Sequence, residues 1–252
     1  MIVLKNSREI SIMRQAGRIA AQALKIAGNA VEPGVTTLEI DRLTRKYIEG
    51  TGARASFLGY RGYPKSTCIS INSEVIHGIP DGKRVIRAGD IVSIDVAALF
   101  EGFHADNACT FACGDVSEQA KALMKATEES LYEGIRAAKA GSRVGDVSYA
   151  VQRYAEGRGY SVVREFVGHG VGANLHEDPN VPNFGTPGKG VRLLPAMTIA
   201  IEPMINAGAP DILLHSDGWL VTTKDRSLSA HYEHTVLITG GDAEIITMPE
   251  GA

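Results

Sequence analysis

A weak internal repeat is the sequence feature that most restricts how this chain can fold. At an offset of 107 residues, the segment that begins at Gly34 aligns with the segment that begins at Gly141. The same offset aligns further residues along the chain, namely Tyr47 with Tyr154, Gly50 with Gly157 and Gly52 with Gly159. Self-similarity at a fixed offset indicates repeated structural units. We therefore predict two related halves, about 1–114 and 115–252, within a single domain.

Each half begins with the same predicted order of elements. Apolar residues at helical spacing predict a long amphipathic helix over 7–28 and a counterpart over 117–140. A shorter helix that ends at glycine follows in each half, over about 37–50 and 145–157, before sequence rich in strand-forming residues. This order favours an α+β fold in which two αβ halves are related by a pseudo-twofold axis and meet at a cleft.

Two acidic residues occupy equivalent places in these halves. The offset aligns Asp95, in the segment VSID, with Glu202, in the segment IAIE. A carboxylate inside an apolar strand is costly unless something compensates its charge. Because both halves carry such an acid at the same place, we interpret the pair as part of a functional site.

A predicted hairpin brings a second acid close to Asp95. Residues 91–99 and 103–111 have the pattern of two strands joined by a turn at 100–102. If the turn centres on Phe100 and Glu101, Asp95 and Asp106 stand directly opposite each other. Like charges at that position repel, and a divalent cation between the carboxylates would remove the repulsion. The hairpin therefore predicts a metal site.

The second half supplies further candidate ligands. Glu202 precedes a proline, which favours extended backbone, and Glu233 lies in a predicted strand over 230–238. His169 follows a predicted strand over 162–167 and is flanked by glycines, which allow the backbone to approach a site closely. Four carboxylates and one imidazole form an oxygen-rich set suited to two Mn, Fe or Co ions, with Zn as an alternative.

Composition excludes several other classes of protein. The chain is 44% hydrophobic, which is enough to build a core, and its net charge of −3 lacks the basic excess typical of nucleic-acid binding. Apolar runs fall well short of the ~20 residues that a membrane-spanning helix needs, and the first residues do not resemble a signal peptide. Three cysteines cannot all pair, so we expect reduced thiols in a cytoplasmic protein.

Several segments resemble the type I methionine aminopeptidases of bacteria, and the resemblance extends over essentially the whole chain. The segments that carry it are 68–80, 89–111, 168–179, 197–204 and 227–235. The resemblance implies the pita-bread fold, in which two αβ halves surround a central antiparallel sheet. It also implies removal of the initiator methionine from nascent proteins, near the ribosome, when the second residue is small. The protein would act as a monomer.

The resemblance assigns roles to individual residues. The five metal-ligand positions of the family match Asp95, Asp106, His169, Glu202 and Glu233. These would hold two divalent ions bridged by a hydroxide that attacks the scissile peptide, with Glu202 also transferring a proton.

Other matched positions concern the substrate and a further ion. His77 and His176 match residues that contact the scissile peptide. The methionine pocket matches Tyr60, Tyr63, Cys68, Leu175 and Trp219. Asn72 and Ser229 match a monovalent cation site, which would take Na⁺ or K⁺.

Two differences from the family pattern and two rival functions remain open at this point. Ala105 replaces a commoner glycine, and Leu175 replaces an aromatic residue frequent in close relatives, which affects the shape of the pocket. A proline-specific aminopeptidase or prolidase would share the fold and the ligands. A noncatalytic binding protein on the same fold would typically lose ligands, whereas this chain has all five.

Overall fold

The structure, a computed structural model, describes residues 2–249, so both ends of the predicted domain 1–252 lie outside the described residues. Its helices are α1 (Ser7–Asn29), α2 (Thr37–Gly50), α3 (Glu118–Ala137) and α4 (Val144–Glu156), with a 3-10 helix at Tyr60–Gly62. The strands of the first half are β1 (Arg54–Ala55), β2 (Cys68–Ile71), β3 (Glu74–Ile76), β4 (Ile91–Phe100) and β5 (Phe103–Ala112). Those of the second half are β6 (Ser161–Val162), β7 (Gly168–Gly170), β8 (Glu177–Val181), β9 (Thr198–Ile201), β10 (Met204–Asn206), β11 (Ile212–Leu214), β12 (Val221–Thr223), β13 (Ser229–His231), β14 (Glu233–Leu237) and β15 (Glu244–Ile245).

A nine-stranded antiparallel sheet forms the centre of the molecule. Its main path runs β1-β4-β5-β14-β9-β7-β8, and β2 and β15 pair with β4 and β14. Two smaller sheets, β13-β10-β6 and β11-β12-β3, lie beside it. The contact between β5 and β14 joins strands from the two halves of the chain. Among residues 2–249, no helix has both the length and the apolar character to cross a membrane.

The helices cover the sheet with their apolar faces. Capping boxes fix the starts of α1 and α2, where Asn6 and Thr36 accept hydrogen bonds from the backbone of Glu9 and Glu39. In the first half, α1 packs its buried face on β4 and β5. In the second half, α3 and α4 form a common core with β9 and β13. Burial of these faces on the sheet is the main source of stability.

The repeat predicted from sequence is confirmed by matching backbone geometry. The N–H of Gly34 donates to the carbonyl of Ile86 at 2.9 Å, and 107 residues later Gly141 donates to Leu193 at 2.9 Å. Gly34 and Gly141 both adopt left-handed backbone, with φ of 94° and 93°. The connections into α2 and α4 therefore have the same structure, as expected for two halves of one pseudo-symmetric α+β fold.

The predicted register of the β4–β5 hairpin is wrong. The turn consists of Glu101 and Gly102, which both have positive φ, 45° and 87°, as a type I′ turn requires. Asp95 therefore pairs with Ala108, and Asp106 pairs with Ala97. The aspartates lie on a diagonal of the same sheet face, since glycine at the second turn position moves the centre of the hairpin by one residue.

Two predicted strands also differ in the structure. The apolar run over 162–167 forms a strand only at its start, in β6, and His169 lies within β7. The strand predicted over 230–238 is interrupted at Tyr232, so that β13 pairs with β10 while β14 joins the central sheet. A chain that passes from one sheet to another cannot continue a single ladder of hydrogen bonds.

The pseudo-symmetry predicts opposite effects of two substitutions. Gly89 and Ala196 are 107 residues apart, and both hold left-handed backbone, with φ of 93° and 70°. This conformation costs an alanine roughly 1–2 kcal/mol, which the greater freedom of glycine in the unfolded chain partly offsets. By urea denaturation we expect Ala196→Gly to raise the free energy of unfolding by about 0.5–1 kcal/mol, and Gly89→Ala to lower it similarly.

Gly89→Ala also provides a check on the physical cause. The nearest atom to the added Cβ would lie 3.9 Å away, so steric crowding cannot contribute. A Gly89→Ala variant as stable as the unsubstituted protein would contradict the argument from backbone strain.

Candidate metal centre and substrate pocket

Four of the predicted ligands project from one face of the central sheet. Asp95 and Glu233 both pair with Ala108, from the two sides of β5. Glu202 directly follows β9. The last residue of β9 pairs with the residue that follows Glu233 in β14, so Glu202 lies beside Glu233. Asp106 lies two residues before Ala108 and so shares its face. The structure thus brings acids from both halves together across four neighbouring strands, β4, β5, β14 and β9.

Hydrogen bonds between the halves fix Asp106 in place. Its backbone N–H donates to the hydroxyl of Thr235 at 2.9 Å, and that hydroxyl donates back to the carbonyl of Asp106 at 2.8 Å. Asp106 belongs to β5 and Thr235 to β14, so the contact links the two halves directly beneath the acids. The carboxylate of Asp106 is consequently positioned by the fold.

His169 completes the cluster, and its hydrogen bonding determines which ring nitrogen faces the acids. Its Nδ1 lies 2.9 Å from the carbonyl oxygen of Gly170, which can only accept, so Nδ1 carries the proton. Burial lowers the pKa of His169 to about 4, so the ring is neutral and Nε2 presents a lone pair. That Nε2 lies 3.4 Å from Oε1 of Glu202.

Burial makes this concentration of carboxyl groups electrostatically costly. Asp106 and Glu233 are only 3% and 2% exposed. Desolvation raises the pKa of Asp106 to about 7. Desolvation and repulsion among neighbouring acids raise the pKa values of Asp95, Glu202 and Glu233 well above their usual range. The cluster requires protons or cations to compensate its charge.

The donor atoms fit divalent metal ions. Ligand atoms of Asp106, His169 and Glu233 lie within 4.8 Å of one another. Buried oxygens of Asp95, Asp106 and Glu233 have no hydrogen-bond partner, which leaves their lone pairs available to a cation. An oxygen-rich set with one neutral imidazole suits Mn, Fe, Co or Zn. That these five residues act as ligands stays a prediction.

A cavity of about 270 Å³ opens beside the carboxylates. Of the predicted pocket residues, Tyr60, Tyr63, Cys68 and Trp219 line it. The rings of Tyr63 and Trp219 meet edge to face at 4.9 Å, and burial raises the pKa of the Cys68 thiol, which therefore stays uncharged. Leu175 is buried outside this lining, in one apolar cluster with Tyr63 and Cys68.

The two predicted substrate histidines lie on the wall of this cavity. His77 adopts left-handed backbone, with φ of 60°, and its ring meets those of Phe166 and Trp219 edge to face. Burial lowers the pKa of His77 to about 4, so its ring is neutral. His176 shares a 2.8 Å hydrogen bond with the Tyr60 hydroxyl, and its ring centre lies 4.0 Å from that of His169.

The predicted monovalent cation residues lie together at some remove from the acids, outside the lining of the cavity. The N–H of Ser229 donates to the carbonyl of Asn72 at 2.9 Å, and the Asn72 side chain donates to Asp90 and accepts from the N–H of Ile91. These contacts hold β13 against the start of β4. A cation at this position stays a prediction.

Sequence reasoning missed several residues that the structure places in or beside the site. Phe166 and Arg61 line the cavity, and His231 directs Nε2 toward Glu202 at 3.8 Å. Each lies within three residues of a predicted site residue, and this closeness in sequence was the only indication that it belongs to the site. A larger groove of about 660 Å³, lined mainly by residues of α4 and the segment 178–191, contains none of the predicted site residues.

The chain is similar to known proteins over nearly its whole length. The sequence matches metallopeptidase family M24 over residues 11–240. It is 48% identical to a methionine aminopeptidase of Clostridium acetobutylicum over 99% of this chain and 100% of that protein. A methionine aminopeptidase of Bacillus subtilis is 47% identical over 98% of this chain and 99% of its own length.

Solved structures lead to the same fold. The crystal structure of methionine aminopeptidase from Thermotoga maritima has a TM-score of 0.97 and 44% identity, covering 98% of this chain and all of that one. The prolidase from Pyrococcus horikoshii has a TM-score of 0.78 at 24% identity, with 65% of its chain covered, and is similar in fold alone. The prediction of a pita-bread fold is confirmed.

Metal binding should release protons from this centre. Because burial and mutual repulsion raise the carboxyl pKa values, the metal-free site holds protons near neutral pH that an incoming cation must displace. We expect the affinity for Mn²⁺ to fall as the pH is lowered from about 8 to about 6. Calorimetric titration at neutral pH, in two buffers of different ionisation enthalpy, measures the released protons.

The same titration can also contradict the expected release of protons. Equal apparent enthalpies in the two buffers would mean that no net proton leaves, and would contradict the raised pKa values. An Asp106→Asn variant, which removes one titrating carboxyl, should bind Mn²⁺ more weakly and release fewer protons.

Proposed function

Since the chain belongs to metallopeptidase family M24 and catalyses metal-dependent removal of N-terminal methionine, we propose that the buried cluster and the cavity beside it form its active site. Asp95, Asp106, His169, Glu202 and Glu233 would hold two divalent ions. The observation that carries the proposal is the placement of this cluster beside a cavity lined by aromatic rings and a sulfur atom. Such a lining suits a flexible thioether.

The bound ions and the residues around the cluster would have separate roles in the reaction. Divalent ions held there would make water acidic enough to supply a nucleophile near neutral pH. Glu202, whose side chain is 13% exposed, can accept a proton on its carboxylate and pass it to the leaving amine. The neutral ring of His77 can donate a hydrogen bond to the carbonyl oxygen of the scissile peptide as negative charge develops there.

Substrate selection follows from the size of the cavity. Tyr60, Tyr63, Cys68 and Trp219 would surround the methionine side chain, with Leu175 supporting them from behind. The methionine side chain would occupy this cavity of about 270 Å³, so the second residue would lie against its walls. Close-packed walls yield little, so a bulky second residue would be excluded while glycine, alanine or serine is accepted.

We further propose that the substrates are nascent proteins in the cytoplasm, met near the ribosome by a monomeric enzyme. Cys68, Cys109 and Cys113 are unpaired thiols, which fits a reducing compartment. Co, Mn or Fe would be the physiological metals, with Zn as an alternative, and Asn72 with Ser229 would bind a Na⁺ or K⁺ ion.

Three peptides test this function against its rivals. Metal-loaded enzyme should release methionine from Met-Ala-Ser, act at least about 100-fold more slowly on Met-Ile-Ser, and leave Ala-Pro-Ser intact. Asp106→Ala should lower turnover of Met-Ala-Ser by more than about 1000-fold, because it removes a main electrostatic element of the site. Liberated amino acids can be quantified by mass spectrometry.

The opposing results identify the rival directly. Preferential cleavage of Ala-Pro-Ser would assign a proline-specific aminopeptidase, which shares this fold. Binding of metal without turnover of any peptide would assign a noncatalytic binding protein.

His77→Ala separates transition-state from ground-state binding. If His77 stabilises developing charge, its loss should lower kcat by roughly 100-fold and raise KM much less. Steady-state kinetics on Met-Ala-Ser provide both constants. His215→Ala, which changes a histidine outside the cavity lining, serves as the control and should leave both unchanged. A pure KM effect in His77→Ala would reassign this ring to ground-state binding.

A further inference from the structure

The carboxylate of Glu202 lies between two imidazole rings. Nε2 of His169 is 3.4 Å from Oε1, and Nε2 of His231 is 3.8 Å from Oε2. The histidine side chains are almost fully buried, with exposed fractions of 7% and 3%. Each oxygen of the carboxylate therefore faces a ring nitrogen of its own.

The two rings offer different chemistry to this carboxylate. His169 directs its protonated Nδ1 to the carbonyl of Gly170, so its Nε2 can bind a cation but cannot donate a hydrogen bond. Nε2 of His231 is buried and has no hydrogen-bond partner. A buried polar atom left without a partner costs about 1–3 kcal/mol. The facing oxygen of Glu202 is an acceptor that can satisfy it.

Hydrogen bonds hold the backbone of His231 in place. The hydroxyl of Thr110 accepts a hydrogen bond from its N–H and donates one to its carbonyl, both at 2.9 Å. The same hydroxyl contacts that of Ser93 at 2.8 Å, and Met204 pairs with His231 across β10 and β13. The backbone from which the ring extends is therefore held by strands of both halves.

We propose that His231 is a positioning residue of the metal centre, whose Nε2–H donates to Oε2 of Glu202 and keeps Oε1 turned toward Nε2 of His169. The inference rests on the proposed function, since it takes Glu202 and His169 as ligands of one ion. A small rotation of either side chain shortens 3.8 Å to hydrogen-bond distance. Hydrogen-bond partners of this kind orient ligating carboxylates and raise metal affinity.

Two substitutions at His231 separate this role from simple packing. His231→Gln keeps an N–H donor at similar reach, whereas His231→Leu keeps most of the volume and removes the donor. With Mn²⁺ as the probe, calorimetric titration should show a Kd raised about 10- to 100-fold in His231→Leu and changed less than about threefold in His231→Gln. Thermal unfolding of the metal-free proteins reports whether each variant is folded.

His231→Asn keeps the result decisive if the leucine variant does not fold. Asparagine is polar and smaller than histidine, but its amide is too short to reach Oε2, so we expect a folded protein with the same loss of Mn²⁺ affinity. A folded His231→Leu or His231→Asn variant that binds Mn²⁺ as tightly as the unsubstituted protein would overturn the proposal.

A control at Glu202 distinguishes failure of this inference from failure of the proposed function. If the unsubstituted protein binds Mn²⁺ and Glu202→Gln weakens binding, the metal centre stands, and unchanged affinity in the His231 variants refutes the positioning role alone. If the unsubstituted protein does not bind Mn²⁺, or Glu202→Gln has no effect on binding, the assignment of the metal centre fails as well.

Discussion

The buried cluster of four carboxyl groups is the constraint on which the rest of this structure depends. Asp95, Asp106, Glu202 and Glu233 lie close enough for desolvation and mutual repulsion to raise their pKa values. An arrangement of this kind persists only where the surrounding fold contributes more stability than the cluster costs. The helices packed on the central sheet supply that stability, and divalent ions would remove the repulsion.

The pseudo-twofold symmetry explains how one chain assembles such a site. The first half provides Asp95 and Asp106 on a hairpin, and the second provides His169 and Glu233 on separate strands and Glu202 directly after another. Neither half carries all five of the proposed ligands. Two threonine hydroxyls connect the halves, since Thr235 binds the backbone of Asp106 and Thr110 binds that of His231. Metal binding and correct docking of the halves are therefore expected to be coupled.

The acids of the cluster and most of the aromatic residues that line the cavity occupy different parts of the fold. The acids stand on paired strands, where the ladder of hydrogen bonds fixes their spacing. Tyr60, in the 3-10 helix, and Tyr63, His77 and Trp219, on connecting segments, lie outside the central sheet. His77 holds left-handed backbone, which turns its ring toward Phe166 and Trp219. Segments of this kind can change the accepted substrate without altering the metal centre.

The sequence by itself determined the repeat, the order of helices and strands, and the acids and histidine placed in the site. These features follow from the spacing of residues along the chain and from the high cost of placing acids in apolar strands. Both can be recognised in the sequence without knowing the tertiary structure. It also supported the family resemblance, because the motifs are continuous segments.

Only the tertiary structure decided which side chains meet. The register of the hairpin depended on Glu101 and Gly102 both adopting positive φ, which moved Asp106 from opposite Asp95 to opposite Ala97. The contact between His231 and Glu202 joins residues 29 positions apart, one on β13 and the other directly after β9 of the central sheet. Leu175 lies outside the lining of the cavity, in an apolar cluster with Tyr63 and Cys68 from a remote segment. Such contacts depend on how separate segments pack in three dimensions, and local sequence patterns do not encode that packing.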